Sequence, residues 1–146
     1  MTDYEKLSRE HFDSMAENYA ATDGTYYSRL PKAASDEAAA ILGRIGFGSL
    51  LDVGCGSGYL ISVLAAERKD AEFYGLDISP KMLEQARKKL AAVRNVTLTE
   101  GGANRLPYPD GGFDAVTCIM SFHHYPYPYE AVAEAYRVLR AGGTYV

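Results

Sequence analysis

Between Leu50 and Leu60 the chain reads LLDVGCGSGYL: an apolar run carrying one acid, Asp52, then glycines at alternate positions, Gly54, Gly56 and Gly58. From here to the C-terminus, short apolar runs alternate with segments of helical periodicity, and no hairpin signal intervenes. SLLDV, EFYGLD (Glu72 to Asp77), NVTLTE (Asn95 to Glu100) and FDAVTCIM (Phe113 to Met120) read as strands, with TYV as the start of a fifth. Between them, Leu60, Ile61 and Leu64, then Leu83, Ala86 and Leu90, then Val132, Ala135, Tyr136 and Leu139 mark helices. The last is predicted to stop at Gly142 and Gly143. Ser79 before Pro80 is an N-cap followed by proline at the first helical position. Alternation of this kind predicts an α/β fold: a doubly wound, mostly parallel sheet with helices on both faces. Ligands of such sheets sit at the carboxyl ends of the strands, where the strand order reverses.

The first third of the chain has a different pattern. Phe12, Met15, Ala16 and Tyr19 predict an amphipathic helix over about 4–20. Ala21 to Pro31 reads as a loop, broken by Gly24 and Pro31. A second helix is predicted from the N-cap Ser35 to Gly46, with Ala38, Ile41, Leu42 and Ile45 on one face. Residues 1–34 are thus expected to form an N-terminal helix and lid-like loop, and residues 35–146 a Rossmann-like binding domain.

Glycine removes the Cβ that holds a ligand off, and a glycine-rich turn opening a helix offers backbone N–H groups and a positive dipole end. A dinucleotide fingerprint places its third glycine where this chain has Tyr59, so a pyrophosphate is not demanded. Asp77 closes the second strand, and a carboxylate there accepts charge-assisted hydrogen bonds from ribose hydroxyls. A nucleoside ligand follows. A net charge of −4 disfavours a nucleic-acid partner. No apolar stretch approaches the roughly 18 residues of a membrane span. MTDYEKLSRE lacks an apolar signal core, and Cys55 and Cys118 form neither a disulfide framework nor a metal-ligand pattern. A cytoplasmic setting with no metal is expected.

Four motifs in order, LLDVGCGSGYL, YGLDISPKMLEQAR, LPYPDGGFDAV and YRVLRAGG, with HFDSMAENYA ahead of them, resemble the class I S-adenosylmethionine-dependent methyltransferases. The resemblance is nearest to the small-molecule group of the ubiquinone/menaquinone-biosynthesis type and covers residues from about 10 to 146. It implies S-adenosyl-L-methionine as cofactor and in-line methyl transfer to a small-molecule acceptor. It implies that Gly54, Cys55, Gly56 and Gly58 floor the methionine part, with Asp52 near its ammonium. Asp77 is implied to hold the ribose and Ile78 to pack on the adenine. Met120 and Ser121 are implied to lie beside the methionine end, and Tyr19 to help close the pocket, where an aromatic face favours a sulfonium. Tyr26 and Tyr27 are expected in a lid.

The chain departs from the family at EGGANRLPYPD. Gly102 stands where the family carries an acid that accepts from the adenine amino group, leaving the Ala103 backbone and Asn104 as substitutes. His123 and His124 lie towards the acceptor as candidate catalytic bases, since histidine titrates near pH 7. MSFHHY replaces the [ND]-P-P-[YFW] motif of base-amino methylases, which disfavours DNA as acceptor. The family sheet has seven strands, so a chain truncated at the fifth is expected, with association of copies through an exposed sheet edge. The alternative function is a non-catalytic or incomplete cofactor-binding module that needs its missing C-terminal part or a partner. A nicotinamide-dependent reductase is a third reading, opposed by Tyr59.

Overall fold

The computed structural model describes residues 2–21 and 26–146, with the side chains of residues 20, 21 and 26–28 outside the description. Two helices lead, α1 (Asp3–Ala21) and α2 (Tyr26–Ile45). Strands and helices then follow, alternating except where β4 succeeds β3: β1 (Ser49–Val53), α3 (Tyr59–Glu67), β2 (Glu72–Asp77), α4 (Pro80–Lys89), β3 (Val96–Glu100), β4 (Phe113–Thr117), α5 (Pro128–Val138) and β5 (Leu139–Tyr145). The five strands form one sheet in the order β3-β2-β1-β4-β5, with every pairing parallel. Parallel strands need crossovers; α3, α4 and α5 supply three of them, and residues 101–112 connect β3 to β4 without a helix.

Each face has its own apolar cluster. Leu42, Leu50, Ile61, Leu64, Phe73 and Leu83 pack on one side; Leu51, Leu76, Phe113, Val116 and Val138 pack on the other. Leu50 and Leu51 are adjacent in β1 and fully buried on opposite faces, which is why the central strand reads as continuous apolar sequence. Below the sheet, Arg137 of α5 binds Glu134 and Asp110 and donates to the carbonyls of Leu106 and Tyr108, tying the β3–β4 connection to α5.

Three sequence expectations are corrected. Residues 26–31 are helical rather than loop, so α2 begins nine residues before Ser35 and carries Pro31 inside it. Only about one turn precedes that proline, so its ring meets little helix behind it. The part of the expected loop at residues 22–25 lies outside the described residues, as do the Tyr26 and Tyr27 side chains. Secondly, β4 ends at Thr117, three residues early: Met120 adopts a left-handed φ of 56° and the chain turns over the end of β1. Thirdly, α5 stops at Val138, and the two glycines lie inside β5. Its buried face is Ala131, Ala135 and Val138, while Val132 is half-exposed and Tyr136 is 82% exposed. The same 4-then-3 spacing runs along both faces; the small residues win because they let the helix sit close to the sheet.

Candidate functional site

β2 and β3 lie to one side of β1, and β4 and β5 to the other. The crossover direction therefore reverses at β1, and the connections leaving β1 and β4 diverge above their carboxyl ends. A cavity of about 610 Å³ opens there, within the range of small-ligand sites. Across it from the β3 side to the β4 side lie Gly101 to Asn104, then Asp77 and Ile78, then Asp52 with the glycine loop, then Met120 to Tyr125. Every sequence-predicted site residue lines this cavity except Gly58.

The glycine loop is folded for closeness rather than for anion capture. Gly54 has φ +76°, and a Cβ there would lie 2.5 Å from Ser121 Cβ and 3.1 Å from Tyr125 Oη; a side chain would drive the β1 and β4 connections apart. At Gly56 a Cβ would meet nothing within 4 Å, so the absent side chain leaves open space at the cavity wall. Gly58 serves the fold: it is the left-handed N-cap of α3, and a Cβ would lie 2.9 Å from Leu90 Cδ1 and 3.2 Å from Ala86 Cβ. The N–H groups expected to face a ligand are largely engaged within the protein. Gly54 and Cys55 donate to the Leu76 carbonyl at 2.7 and 3.0 Å, Gly56 to Asp77 Oδ2 at 2.8 Å and Gly58 to the Cys55 carbonyl at 2.9 Å. A pyrophosphate would find few free donors.

Two buried acids of the strands line the cavity. Asp52 is 3% exposed and accepts one hydrogen bond, from Thr117 Oγ1 at 2.8 Å. Burial, above all, pushes its carboxyl up to about 7; the Thr117 bond opposes this and the nearby Asp77 charge adds to it. Asp77 closes β2 and is likewise buried. Its Oδ2 accepts from the Gly56 N–H and its Oδ1 from the Ser79 N–H at 2.9 Å. Burial raises its carboxyl and those backbone bonds hold it down. Each of its oxygens keeps further lone-pair capacity. The Cys55 thiol is held neutral, pushed up by burial and by both acids.

On the β4 side, Ser121 Oγ and Tyr125 Oη both donate to the Val53 carbonyl at 3.0 Å. They bind the β4 connection to the end of β1, and they position a short 3₁₀ turn, Phe122–His124. The His123 and His124 rings lie 4.0 Å apart between centroids, and the Phe12 ring of α1 meets His124 edge-on at 4.9 Å. Burial, then the neighbouring His123 and His11, pull the His124 imidazole below its ordinary value, favouring the neutral base.

Helices α1 and α2 close the cavity further, α2 through Leu30, Pro31, Lys32 and Ser35. Glu5, Ser8, Phe12, Met15 and Tyr19 face the cavity. Their spacing of three and four residues continues the Phe12–Met15–Tyr19 stripe, the signal by which Glu5 and Ser8 could have been found. Asp13 Oδ1 accepts from Ser79 Oγ at 2.6 Å, and Arg9 pairs with Glu100 at 3.0 Å, seating α1 over β2 and β3.

This arrangement is that of a Rossmann-like methyltransferase fold. Residues 51–146 match the family model described as a methyltransferase domain, and the chain belongs to that family. It is 41% identical over 98 residues to a demethylmenaquinone methyltransferase of Deinococcus radiodurans, covering 66% of this chain and 41% of that protein. It is 36% identical over 147 residues to one of Symbiobacterium thermophilum, covering 97% of this chain and 58% of that protein. Its fold matches a SAM-dependent methyltransferase of Thermotoga maritima with a TM-score of 0.70 at 25% identity, over 92% of this chain and 57% of that one. The chain spans about half the length of these relatives. The family's cofactor is S-adenosylmethionine, and the site suits it: two buried acceptors for a ligand bearing hydroxyls and positive charge, open space at Gly56, and little provision for phosphate. No helix among the described residues is long and apolar enough to cross a membrane.

Proposed function

We propose that this chain carries the site at which a methyl group passes from S-adenosylmethionine to a small-molecule acceptor. The observation that carries the reading is the pair of buried carboxylates on adjacent strands, Asp52 in β1 and Asp77 at the end of β2, beside a glycine loop whose N–H groups are already engaged. When bound, the cofactor supplies an electrophilic methyl carbon on a cationic sulfur. Asp77 Oδ1 and Oδ2 accept from the ribose hydroxyls. Asp52 holds the methionine ammonium, and that cation lowers its carboxyl back into the ionised range. Gly54, Cys55 and Gly56 let the methionine end lie against backbone; Ile78, Ala103 and Asn104 bound the base; Met120 and Ser121 form the opposite wall. Phe12, Met15 and Tyr19 exclude water, which strengthens every polar contact inside. His123 and His124 face the acceptor side. His124, held neutral, accepts a proton at its free ring nitrogen when the acceptor is a hydroxyl or carbon acid.

The acceptor proposed is an apolar, aromatic small molecule of the demethylated quinone type named by the relatives, which suits the aromatic lining. Residues 1–34 act as its cover and residues 35–146 as the binding unit; the division is functional, since α2 crosses it. A cytoplasmic setting is supported by two free cysteines, and association of copies is proposed through an exposed sheet edge, β3 or β5. The second reading, a binding module that needs a further segment or partner to act, draws on the chain's coverage of only 41–58% of its relatives.

Calorimetric titration with S-adenosylmethionine, beside Asp77→Ala and an NADH control, tests the site. Incubation with labelled cofactor and a reduced demethylated quinone tests turnover. Saturable binding abolished by the substitution, with product formed, is the expected result. Binding without turnover selects the module reading, and no binding by the folded chain overturns both.

A further inference from the structure

We propose that Glu5 of α1 reads the 6-amino group of the cofactor's purine, standing in for the side chain that Gly102 lacks; this rests on the cofactor site proposed above. A Cβ built on Gly102 would lie 3.1 Å from Glu5 Oε1. The α1 carboxylate therefore crowds the place where a side chain at residue 102 would start, together with Asn104 Oδ1 at 3.0 Å. It arrives from a helix about a hundred residues away in sequence, outside the motif where such an acid is expected.

Three further observations point the same way. Glu5 is 8% exposed and lines the cavity. Its Oε2 accepts from the Thr2 N–H at 2.7 Å, which fixes the carboxylate, while Oε1 has no donor among the described residues. An accessible carboxylate oxygen on the cavity wall, with lone pairs to spare, offers an acceptor to a ligand's donor. Finally, the strand order dictates which part of a ligand reaches it. With ribose hydroxyls at Asp77 above β2 and a charged tail at Asp52 above β1, the base extends to the β3 end, where Gly101 to Asn104 and Glu5 gather. An exocyclic amino group donates to a carboxylate; a 6-oxo group presents a second acceptor and is repelled. Glu5 is accordingly a specificity residue for adenine over hypoxanthine.

The test is titration of the full chain with S-adenosylhomocysteine and with S-inosylhomocysteine, whose purine carries oxygen in place of the amino group. The wild-type chain is expected to prefer the amino ligand by about tenfold or more, the scale of a hydrogen bond to a charged group. Glu5→Ala should bring the ratio close to one, and Glu5→Ala with Gly102→Asp should restore it, because the aspartate then needs only the Asn104 amide to turn aside. Glu5→Gln, which keeps the shape of the side chain, should show an intermediate ratio. A wild-type ratio near one overturns the proposal. So does a Glu5→Ala variant that weakens both ligands alike, for Glu5 would then merely pack α1. Failure of the wild-type chain to bind either ligand overturns the cofactor site itself, and this inference with it.

Discussion

Asp52 offers a test of the site that needs no acceptor. Its carboxyl, buried and bonded among the described residues only to Thr117, is pushed up to about 7 by that burial. A cationic group docking beside it requires the ionised form, so binding below that value must expel a proton. About half the sites are ionised at pH 7 and roughly 3% at pH 5.5, so affinity should fall about fifteenfold over that interval. The window lies below the titration of a ligand's own α-amino group, at about 7.7–8.0, so the ligand's ammonium does not change. Calorimetry in two buffers of different ionisation enthalpy would count the proton directly, with about 0.9 released per ligand at pH 6. Asp52→Asn should bind weakly, with a flat profile and no buffer-dependent heat. An affinity in the wild-type chain that does not change between pH 5.5 and 7, with no proton release, would refute the reasoning: Asp52 would then not meet a cation.

The ligand-free chain should show the other side of the same linkage. A carboxyl raised on folding favours the folded state below its unfolded value of 3.8 and loses that advantage as pH climbs through 7. Asp52→Asn should therefore stabilise the chain at pH 8 by about 2–4 kcal/mol and hardly at all near pH 3.5, as read by urea unfolding. Gly54→Ala combines a left-handed backbone with a Cβ 2.5 Å from Ser121 Cβ; a loss of about 2–4 kcal/mol is expected, with the Tyr125–Val53 contact opening. Arg137→Ala removes the clamp on the β3–β4 connection; unfolding should cost about 1–3 kcal/mol less, and hydrogen exchange should rise at the Leu106 N–H, which Glu134 accepts.

Much of this was legible in the sequence because it is local. The glycine loop, the strand ending in Asp77 and the Ser79–Pro80 cap each announce themselves within a few residues, and the Ser79 side chain accepts from Met82 N as a cap should. Periodicity misled where two faces compete. In α5 Val132 and Tyr136 point outward, while Ala131, Ala135 and Val138 face the sheet. It misled again at Pro31, whose local preference gives way to the packing of α2 on α3. The site divides along the same line. Residues on the strand ends were found from motifs, whereas Glu5 and Ser8 reach the cavity only because α1 docks above β2 and β3. That docking depends on Asp13 and Arg9 meeting partners 66 and 91 residues away, contacts no local pattern contains.

Asp77 joins three parts of the molecule: it ends β2, holds the Gly56 N–H and begins the turn into α4 through the Ser79 N–H. Ser79 in turn caps α4 and donates to Asp13. The carboxylate is consequently locked in one rotamer before any ligand arrives. A free aspartate would surrender side-chain entropy on binding; here folding has already removed it. The rigidity has a corollary for the evolution of the chain. Position 77 cannot drift towards a new ligand without first loosening the glycine loop and the start of α4, so change in what the site accepts is channelled to the cover and the β4 side.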